Sequence, residues 1–486
     1  MNRNAVARDD RQLDFFSFAP LVLPADRGPP LNAVRPSVTA SVPPVVAWPQ
    51  ISRDPERAKP TAASVSSPSR FAITDTDRLG EGSLRHKCEG NLTAIALLHH
   101  LEAEGRTATE AEQHTLVRYV GWGGLPQVFD RHNREWQVQR EQLETLLTPE
   151  ELASARATTL NAHYTSATII RAMYAALERF GFTGGRILEP ACGLGHFLGL
   201  MPEHLRARSI FTGIEIDSLT VRLAKALYPE ADLRHAPFEE AKLADESFDV
   251  AISNVPFGDY RPFDRRFPRF LIHDYFFAAS LARVRPGGLV AFVTSRGTLD
   301  KQDGQLRECV ASQADLLGAI RLPNDAFKRN ANTEVTTDVV FLRKRLPGET
   351  AAGPDWTGLG ETTNSVGETI SLNEYFAARP EMMLGEMRLV GRMYRQSEPT
   401  LVGNGRDLAE QLQAALERLP AGIYQPAAIE SSVPGASLPV PAPDAVKPNA
   451  FTLSNGQLAR RQGDTLVLLS DLSESTAQRV RGLIRV

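Results

Sequence analysis

Short apolar runs alternate with helical stretches through the middle of the chain. Seven of these runs predict β-strands, near residues 186–189, 210–215, 232–235, 249–253, 289–294, 316–321 and 338–343. Strands separated by helical stretches are typical of a parallel sheet with crossover helices. The pattern therefore predicts an α/β fold built on a doubly wound, seven-stranded sheet, and we assign this central domain to residues 161–346.

The regions on either side of the central domain carry weaker patterns. Residues 1–70 are rich in Pro, Ala, Val and Ser without sustained periodicity, which predicts a disordered leader. Apolar residues at helical spacing predict a helical extension over 71–160, with a glycine-rich turn at 121–124. We expect a second helical extension over 347–425, a linker rich in Pro, Ala and Ser over 426–448, and a small C-terminal segment, a hairpin and a helix, over 449–486.

Composition and charge exclude several classes of protein. The 486 residues include 42% hydrophobic and 23% charged residues, enough for a sizeable core, and the net charge of −4 argues against general coating of nucleic acid. The three cysteines, Cys88, Cys192 and Cys309, are too widely spaced to indicate a disulfide framework or a zinc site. No apolar run approaches eighteen residues. We expect a soluble, cytoplasmic protein that binds no membrane and no metal.

The first strand of the predicted sheet runs into a glycine turn and then a helix. Glu189 ends the strand, and Gly193 and Gly195 form the turn. Glycines at this place let the backbone approach a ligand at the carboxyl end of a strand. A dinucleotide fingerprint would need a third glycine where Leu198 stands. The segment therefore favours an adenosyl ligand without phosphates over a dinucleotide, although an ordinary strand-to-helix turn has the same pattern.

Two acidic residues follow at the end of the next strand. Glu215 lies twenty residues after Gly195, where a carboxylate can accept hydrogen bonds from both hydroxyls of a ribose. Asp217 comes two residues later and directly precedes a helical stretch. We expect Asp217 to cap that helix, because aspartate is favoured at this position.

The fourth strand ends in Asn254-Val255-Pro256-Phe257-Gly258, which is suited to chemistry on an amine. The lone pair of an adenine amino group is delocalised into the ring, so two acceptors must hold its protons while it becomes tetrahedral. The Asn254 side chain and the Val255 backbone each offer a carbonyl, and Phe257 offers a face on which a flipped base can stack. Taken alone, the same pattern also forms an ordinary turn.

In this order, these segments resemble the motifs of the gamma-type adenine-N6 DNA methyltransferases, which are class I S-adenosylmethionine-dependent enzymes. More narrowly, the chain resembles the methyltransferase part of the large plasmid- and phage-encoded methylase–helicase proteins, including anti-restriction relatives. This resemblance runs from about Leu84 to the C-terminus. The shared phrases are residues 119–125, 163–166, 253–260, 294–295 and 299–301.

The resemblance implies a Rossmann-like class I fold with an N-terminal helical extension and a small C-terminal extension, and S-adenosylmethionine as the cofactor. It assigns six residues to cofactor binding, with Tyr164 and Thr165 at the methionine end and Glu215 at the ribose: Tyr164, Thr165, Glu189, Ala191, Gly193 and Glu215. Gly195 of the glycine turn and Glu239 are two further candidates for cofactor binding. It assigns the catalytic loop to Asn254, Val255, Pro256 and Phe257.

The chain departs from the family at two motifs. The catalytic loop usually has proline where Val255 stands, so the backbone is less restricted here although its carbonyl remains. The third motif usually has an aspartate that holds the adenine amine of the cofactor. Residues 236–239 occupy that place, and Glu239 is the candidate partner.

A segment of alternating arginines and phenylalanines, residues 261–270, follows the catalytic loop. Four arginines are candidate nucleic-acid contacts: Arg261, Arg265, Arg266 and Arg269. Arginines can track phosphates, and a phenylalanine can fill the gap left by a flipped base. The alternative is a solvated loop whose aromatic rings pack on the sheet.

These observations lead to one main hypothesis and two alternatives. The main hypothesis is S-adenosylmethionine-dependent methylation of adenine N6 in DNA, associated with a mobile element or phage. The first alternative is methylation of an RNA base or a protein glutamine, and the second is a catalytically weak DNA-binding or anti-restriction accessory module. The chain has no GxxxxGK[ST] phosphate loop, so we expect any helicase partner on a separate or truncated-off chain.

Overall fold

The computed structural model describes residues 70–159, 164–327, 335–391 and 398–425, together with short strands between residues 440 and 468. The chain divides into two units, Met1–Gln425 and Pro426–Val486. The predicted leader, apart from Arg70, and the predicted C-terminal helix lie outside the described residues.

A seven-stranded sheet forms the centre of the first unit. Its strands are β1 Arg186–Glu189, β2 Ile210–Glu215, β3 Asp232–His235, β4 Phe248–Asn254, β5 Val284–Ser295, β6 Ala314–Leu322 and β7 Thr337–Lys344. Their order in the sheet is β3-β2-β1-β4-β5-β7-β6. Strands β1 to β5 pair in parallel, and β7 is antiparallel to both β5 and β6. The predicted α/β, Rossmann-like fold is confirmed, and each of the seven predicted strands overlaps an observed one.

Apolar residues on both faces of the central strands explain why these strands form the core. In β4, Val250, Ala251 and Ile252 are fully buried, and in β5 every residue from Leu289 to Val293 is buried. Parallel strands covered on both faces require such continuous apolar runs. The polar residues of these strands stand at their ends, so the carboxyl edge of the sheet carries the side chains that can do chemistry.

The helices lie before, between and after the strands. They are α1 Leu84–Glu104, α2 Glu110–Leu116, α3 Gln137–Leu146, α4 Pro149–Thr158, α5 Ala167–Arg179, α6 His196–Gly199, α7 Glu203–Arg206, α8 Ser218–Leu227, α9 Ile272–Arg283, α10 Gly297–Asp300, α11 Gln305–Ala311, α12 Glu374–Ala378 and α13 Leu408–Leu416. Asp217 caps α8, because its carboxylate accepts a hydrogen bond of 2.8 Å from the backbone N–H of Thr220. The predicted capping role of Asp217 is thus confirmed. Among the described helices, none is both long and apolar enough to cross a membrane.

The region after Pro347 differs from the expected helical extension. Besides α12 and α13 it contains two antiparallel hairpins, formed by β8 Leu359–Thr363 with β9 Thr369–Asn373 and by β10 Gly385–Gly391 with β11 Glu398–Gly403. In β9, buried Ile370 and Leu372 alternate with exposed neighbours, which is the two-residue period of a strand. A purely helical interpretation of this region is therefore wrong, because it overlooked short alternating runs.

The second unit contains an antiparallel sheet of short strands. These are β12 Val440–Pro441, β13 Phe451–Ser454, β14 Gln457–Gln462 and β15 Thr465–Leu468, in the order β12-β15-β14-β13. Strands β13 and β14 form a hairpin, and β15 extends it. A hairpin is the element predicted for this segment.

Candidate cofactor and catalytic site

The carboxyl ends of β1, β2 and β4 open onto one cavity of about 430 Å³. This volume lies within the range of about 300 to 1,000 Å³ typical of small-molecule sites. Most of the predicted site residues line the cavity: Tyr164, Thr165, Glu189, Ala191, Gly193, Glu215, Glu239, Asn254, Val255, Pro256 and Phe257. The structure thus brings together residues that are up to 93 positions apart in the sequence, from 164 to 257.

The glycine turn after β1 holds the carboxylate of Glu215. The backbone N–H of Gly193 donates to Oε2 of Glu215 at 2.8 Å, and the backbone N–H of Asp217 donates to Oε1 at 2.8 Å. Gly193 has φ of 51°, in the left-handed region that favours glycine. The end of β2 and the turn after β1 are therefore joined through one side chain on the cavity wall.

Gly195 was expected to contact the cofactor, but it is not among the residues that line the cavity. Its backbone N–H donates to the carbonyl of Cys192 at 2.8 Å, and its φ is 85°. A Cβ at this position would lie 2.8 Å from the ring of Tyr228. Gly195 is therefore required for the turn and for close packing against Tyr228, and a contact between Gly195 and the cofactor stays a prediction.

Four carboxyl groups line the cavity, those of Glu189, Glu215, Asp217 and Glu239. Burial, followed by the charge of Glu215, raises the pKa of Glu189 well above its usual value. Burial also raises the pKa of Glu215, to about 7, against the opposing effect of its backbone hydrogen bonds. No lysine or arginine occurs among the described residues that line the cavity. Such a site disfavours phosphates and suits a ligand that carries positive charge and hydroxyl groups.

Buried polar atoms without partners also indicate a polar ligand. Within the described part of the chain, Glu189 Oε2 and both ring nitrogens of His196 have no hydrogen-bond partner. Unpaired buried polar atoms are costly, so they are often explained by a missing ligand or water. Burial lowers the pKa of His196 to about 4, which keeps its ring neutral at pH 7. The residues present thus fit S-adenosylmethionine, whose charged and polar groups these atoms could bind.

An apolar wall faces the acidic side of the cavity. Phe238 and Phe276 pack with ring centroids 5.1 Å apart, and Ile272 lies beside them on the lining. Glu239, the candidate partner of the cofactor's adenine amine, follows Phe238 in a short 3-10 turn, Phe238–Glu240. The arrangement offers a flat apolar surface with a carboxylate at its edge.

The part of the chain before residue 161 also contributes to the cavity, which the sequence analysis missed. Gly121 lines it from the glycine-rich turn, Tyr119 lines it from two residues before that turn, and Ser154 lines it from α4. The Ser154 hydroxyl donates to Oδ1 of Asp217 at 2.6 Å. These residues lie well before the first strand and match no strand-end pattern. The cavity is therefore lined by residues from outside the central domain, 161–346, as well as from within it.

The loop after β4 begins in a fixed position although it lacks the family's proline. Asn254 pairs in register with Val293 of β5, and the backbone N–H of Val255 donates to the carbonyl of Val293 at 3.0 Å. Val255 is only 1% exposed. A proline at this position would restrict the backbone through its ring but could not donate that hydrogen bond. Val255 lacks the ring and instead adds one hydrogen bond to the sheet.

The segment of arginines and phenylalanines is partly packed and partly exposed. Phe267 stacks on Phe270 and meets Tyr275 edge to face, with centroids 6.4 and 6.2 Å apart, whereas Phe263 is 86% exposed. Pro262 lines the cavity, so the segment begins at its rim.

The four arginines of this segment lie outside the cavity lining. Arg266 pairs with Asp245 at 3.0 Å, and Arg261 Nε donates to the carbonyl of Arg269 at 3.2 Å. Among the described residues, Arg265 and Arg269 make no ion pair. Across the same described ranges, no group of three or more His, Cys, Asp and Glu could hold a metal ion.

Comparisons with known proteins agree with this geometry. Residues 188–265 match a family described as a methyltransferase domain. Over 279 residues, 56% of this chain, the sequence is 27% identical to defense against restriction protein B of Escherichia phage P1. It is 26% identical over 192 residues, 34% of this chain, to the type I restriction enzyme EcoEI methylase subunit of Escherichia coli. The matches span 11% of the phage protein and 39% of the methylase subunit.

Two solved structures are similar to this chain. One is a putative class I S-adenosylmethionine-dependent methyltransferase from Listeria monocytogenes, with 20% identity, a TM-score of 0.37 and coverage of 57% of this chain and 93% of that chain. The other is a type I restriction-modification methyltransferase subunit from Streptococcus thermophilus, with 17% identity, a TM-score of 0.32 and coverage of 53% and 66%.

The matched segment, 188–265, includes the glycine turn after β1, Glu215 at the end of β2 and Asn254 at the end of β4. Residues 188–265 therefore match a methyltransferase domain within a Rossmann-like α/β fold, and this match together with the cavity indicates S-adenosylmethionine as the cofactor.

Proposed function

We propose that this protein methylates adenine N6 in DNA. The observation that carries the proposal is the position of Asn254, Val255 and Phe257 on the same cavity as Glu189 and Glu215. An acceptor base that enters beside Asn254 would meet the donor bound along the carboxyl edges of β1 and β2. S-adenosylmethionine supplies an activated methyl group on a positively charged sulfur.

The residues after β4 suit an amine acceptor. The side-chain carbonyl of Asn254 and the backbone carbonyl of Val255 can accept the two amine protons, which directs the nitrogen lone pair towards the methyl group. Phe257 offers an apolar face for the base. The hydrogen bond from Val255 to Val293 holds this loop to the sheet, so its acceptors are oriented before the base arrives.

DNA is the favoured acceptor for two reasons. The relatives include an anti-restriction protein of a phage and methylase subunits of type I restriction enzymes. Exposed Phe263 and the three arginines of this segment that make no ion pair among the described residues, Arg261, Arg265 and Arg269, lie on the segment that begins at the cavity rim. From the same relatives we propose that the protein belongs to a phage or mobile element and acts against restriction. A separate helicase chain is its candidate partner.

The proposal is tested by methyl transfer from tritium-labelled S-adenosylmethionine to unmethylated DNA, with RNA and protein as parallel acceptors. We expect label in DNA, recovered as N6-methyladenine. Asn254→Ala should lower the transfer rate at least about a hundredfold, the usual effect of removing one oriented hydrogen-bonding group. Its affinity for the cofactor, measured by calorimetry, should stay near that of the wild type, because Asn254 acts on the acceptor.

Asn133→Ala is the matched control, since Asn133 caps a surface 3-10 helix and does not line the cavity. This variant should transfer at the wild-type rate. Label in RNA or protein instead of DNA would contradict the acceptor. Cofactor binding without transfer to any acceptor would favour the accessory-module alternative.

A further inference from the structure

We propose that Asn91 is a positioning residue for the cofactor cavity and acts through Gly121 on the ring of Tyr164. The inference concerns cofactor binding and does not depend on which acceptor is methylated. It assigns a role to the N-terminal helical region, which contributes one wall of the cavity.

Asn91 holds the glycine-rich turn from the first helix. It lies in α1, is fully buried, and uses both ends of its amide. Its Nδ2 donates to the carbonyl of Gly121 at 2.6 Å, and its Oδ1 accepts from the backbone N–H of Val120 at 2.8 Å. One side chain therefore satisfies a donor and an acceptor of the turn. Its loss would leave both backbone groups without these partners, which destabilises the turn.

The turn at Gly121 lies in close contact with the ring of Tyr164. Gly121 has φ of 66°, and a Cβ built on it would lie 2.7 Å from Cε2 of the Tyr164 ring. Real Cβ atoms essentially never approach other atoms that closely. Only glycine therefore permits the observed contact between the turn and the ring.

Tyr164 is confined on its other sides by the cofactor-binding turn. A Cβ on Gly193 would lie 3.6 Å from Cε1 of the ring. The ring of His196 packs against the Tyr164 ring at a centroid distance of 4.7 Å, and the two ring planes are inclined by 49°. Tyr164, Gly121 and Gly193 all line the cavity. A displacement of the turn at Gly121 must therefore move the ring against the turn at Gly193 or into the space of the ligand.

Gly121→Ala tests this contact, with Gly105→Ala as the matched control. Gly105 has φ of 63°, almost the same as Gly121, but a Cβ there would meet nothing within 4 Å. Both variants carry the same backbone strain, and only Gly121→Ala should push the Tyr164 ring. Calorimetry of the full chain should show about tenfold weaker binding of S-adenosylmethionine in Gly121→Ala than in Gly105→Ala, as expected for an overpacked contact. Equal affinities in the two variants would overturn the proposal.

The choice of ligand separates positioning from a general loss of structure. Tyr164 is expected at the methionine end of the cofactor, so 5′-methylthioadenosine, which lacks the amino-acid group, should lose less affinity than S-adenosylmethionine. Equal losses for the two ligands would mean that the whole cavity is damaged, and would contradict a specific effect through Tyr164.

A double-mutant cycle tests the step from Gly121 to Tyr164. In a Tyr164→Leu background the ring that clashes is gone, so Gly121→Ala should no longer weaken binding, and the two effects should be non-additive. Additive effects would show that Gly121 acts by another route.

Asn91→Asp, which keeps the acceptor for Val120 but loses the donor to Gly121, should weaken binding less than Asn91→Ala. If Asn91→Ala does not fold, Asn91→Asp and the double-mutant cycle test the proposal without it. Wild-type affinity for S-adenosylmethionine in Asn91→Asp, together with additive effects in the cycle, would reject the proposal.

Discussion

Glu189 and Glu215 face the same cavity from neighbouring strands, and burial raises the pKa of both carboxyl groups. The hydrogen bonds from Gly193 and Asp217 favour the ionised form of Glu215 and oppose the effect of burial, which raises its pKa to about 7, and the pKa of Glu189 is raised well above its usual value. A positively charged ligand favours the ionised form of each group. We therefore expect cofactor binding to release protons at neutral pH.

Cofactor affinity should rise with pH around the pKa of Glu215. Below about pH 7 the carboxyl group is largely protonated and accepts hydrogen bonds poorly, and above it the carboxylate can accept both ribose hydroxyls. Glu215→Gln should remove most of this pH dependence. At about pH 8 it should weaken binding about tenfold or more, the usual effect of losing a charged hydrogen bond. Calorimetry at about pH 6 and pH 8 measures both quantities, and the variant corrects for protons that the ligand itself gains or loses.

The stability of the ligand-free protein should show the opposite trend. Because the pKa of Glu215 is raised from 4.5 to about 7 on folding, the folded state binds the proton more tightly. The resulting contribution to the free energy of unfolding is present below about pH 4.5 and is lost as the pH rises through about 7. If cofactor affinity and stability changed in the same direction with pH, Glu215 would not be part of the site. The same conclusion would follow if the pH dependence of affinity in Glu215→Gln equalled that of the wild type.

Single residues differ in how well the sequence predicts them. Glu189, Glu215 and Asn254 each end a strand, so the apolar pattern alone brings them to one edge of the sheet. Tyr119 reaches the cavity only through tertiary packing of the N-terminal region, which no local pattern shows. His196 carries no sequence signal of its own, and only the fold reveals that both its ring nitrogens are buried without partners among the described residues.

At the scale of elements, the predictable parts are the strands of the central sheet. The continuous apolar runs of β4 and β5 favour burial on both faces, whereas the short hairpins β8–β9 and β10–β11 carry only a few alternating residues each. The segment 261–270 combines both situations, because identical residue types are packed at one position and exposed at another. Composition could not decide which ring or which guanidinium remains available for DNA.

Arg265 and Arg269 should carry the phosphate contacts of this segment. Replacing both by glutamine should reduce the slope of log K against log salt by up to about 1.8 on duplex DNA, or about 1.4 on single strands, for two lost contacts. Arg266→Gln is the control, because Arg266 already pairs with Asp245 and contacts the ring of Phe267. Salt titrations of DNA affinity measure the slopes. A larger change in the Arg266 variant than in the double variant would reverse this assignment.

Phe263 and Phe267 should respond differently to truncation. Phe263→Ala removes an exposed ring, so the melting temperature of this variant should equal that of the wild type. Its rate of methylation should fall more on duplex DNA than on single-stranded DNA, because only a duplex has a gap that the ring can fill when a base flips out. Phe267→Ala removes a ring that packs on Phe270 and Tyr275 and should lower the melting temperature. If Phe263→Ala has equal rates on duplex and single strands relative to wild type, the ring has no role in opening the duplex.

For the molecule as a whole, the first unit is completed by residues that follow the sheet by about 70 positions. Helix α13 packs on α5, and Leu412, Ala415 and Leu416 are buried there. Arg179 of α5 donates to the carbonyl of Leu419 at 2.7 Å. The chain from 408 to 425 thus belongs to the core of the methyltransferase unit, although it lies far beyond the last strand of the sheet.

Tyr424 and Gln425 also connect this segment to the domain, since the Gln425 carbonyl accepts from Nη2 of Arg285 at 3.0 Å, and they set the position at which the chain can be shortened. The Tyr424 hydroxyl donates to Oδ1 of Asp249 at 3.0 Å and accepts from Nη2 of Arg285 at 2.8 Å, and its ring meets Phe182 edge to face. A chain ending after Gln425 keeps these bonds and every described residue that lines the cavity. It should therefore bind S-adenosylmethionine with wild-type affinity.

A chain ending after Arg406 should behave differently, because it loses α13, the acceptor for Arg179 and the bonds of Tyr424. Removing several buried apolar side chains and leaving Arg285 and Asp249 with fewer partners should lower the free energy of unfolding by at least about 3 kcal/mol. Thermal unfolding followed by circular dichroism compares the two shortened chains, and calorimetry compares their affinities for the cofactor. Equal melting temperatures would show that residues 407–425 are not part of the folded unit. A loss of cofactor affinity in the longer chain would mean that the segment after Gln425 contributes to the site.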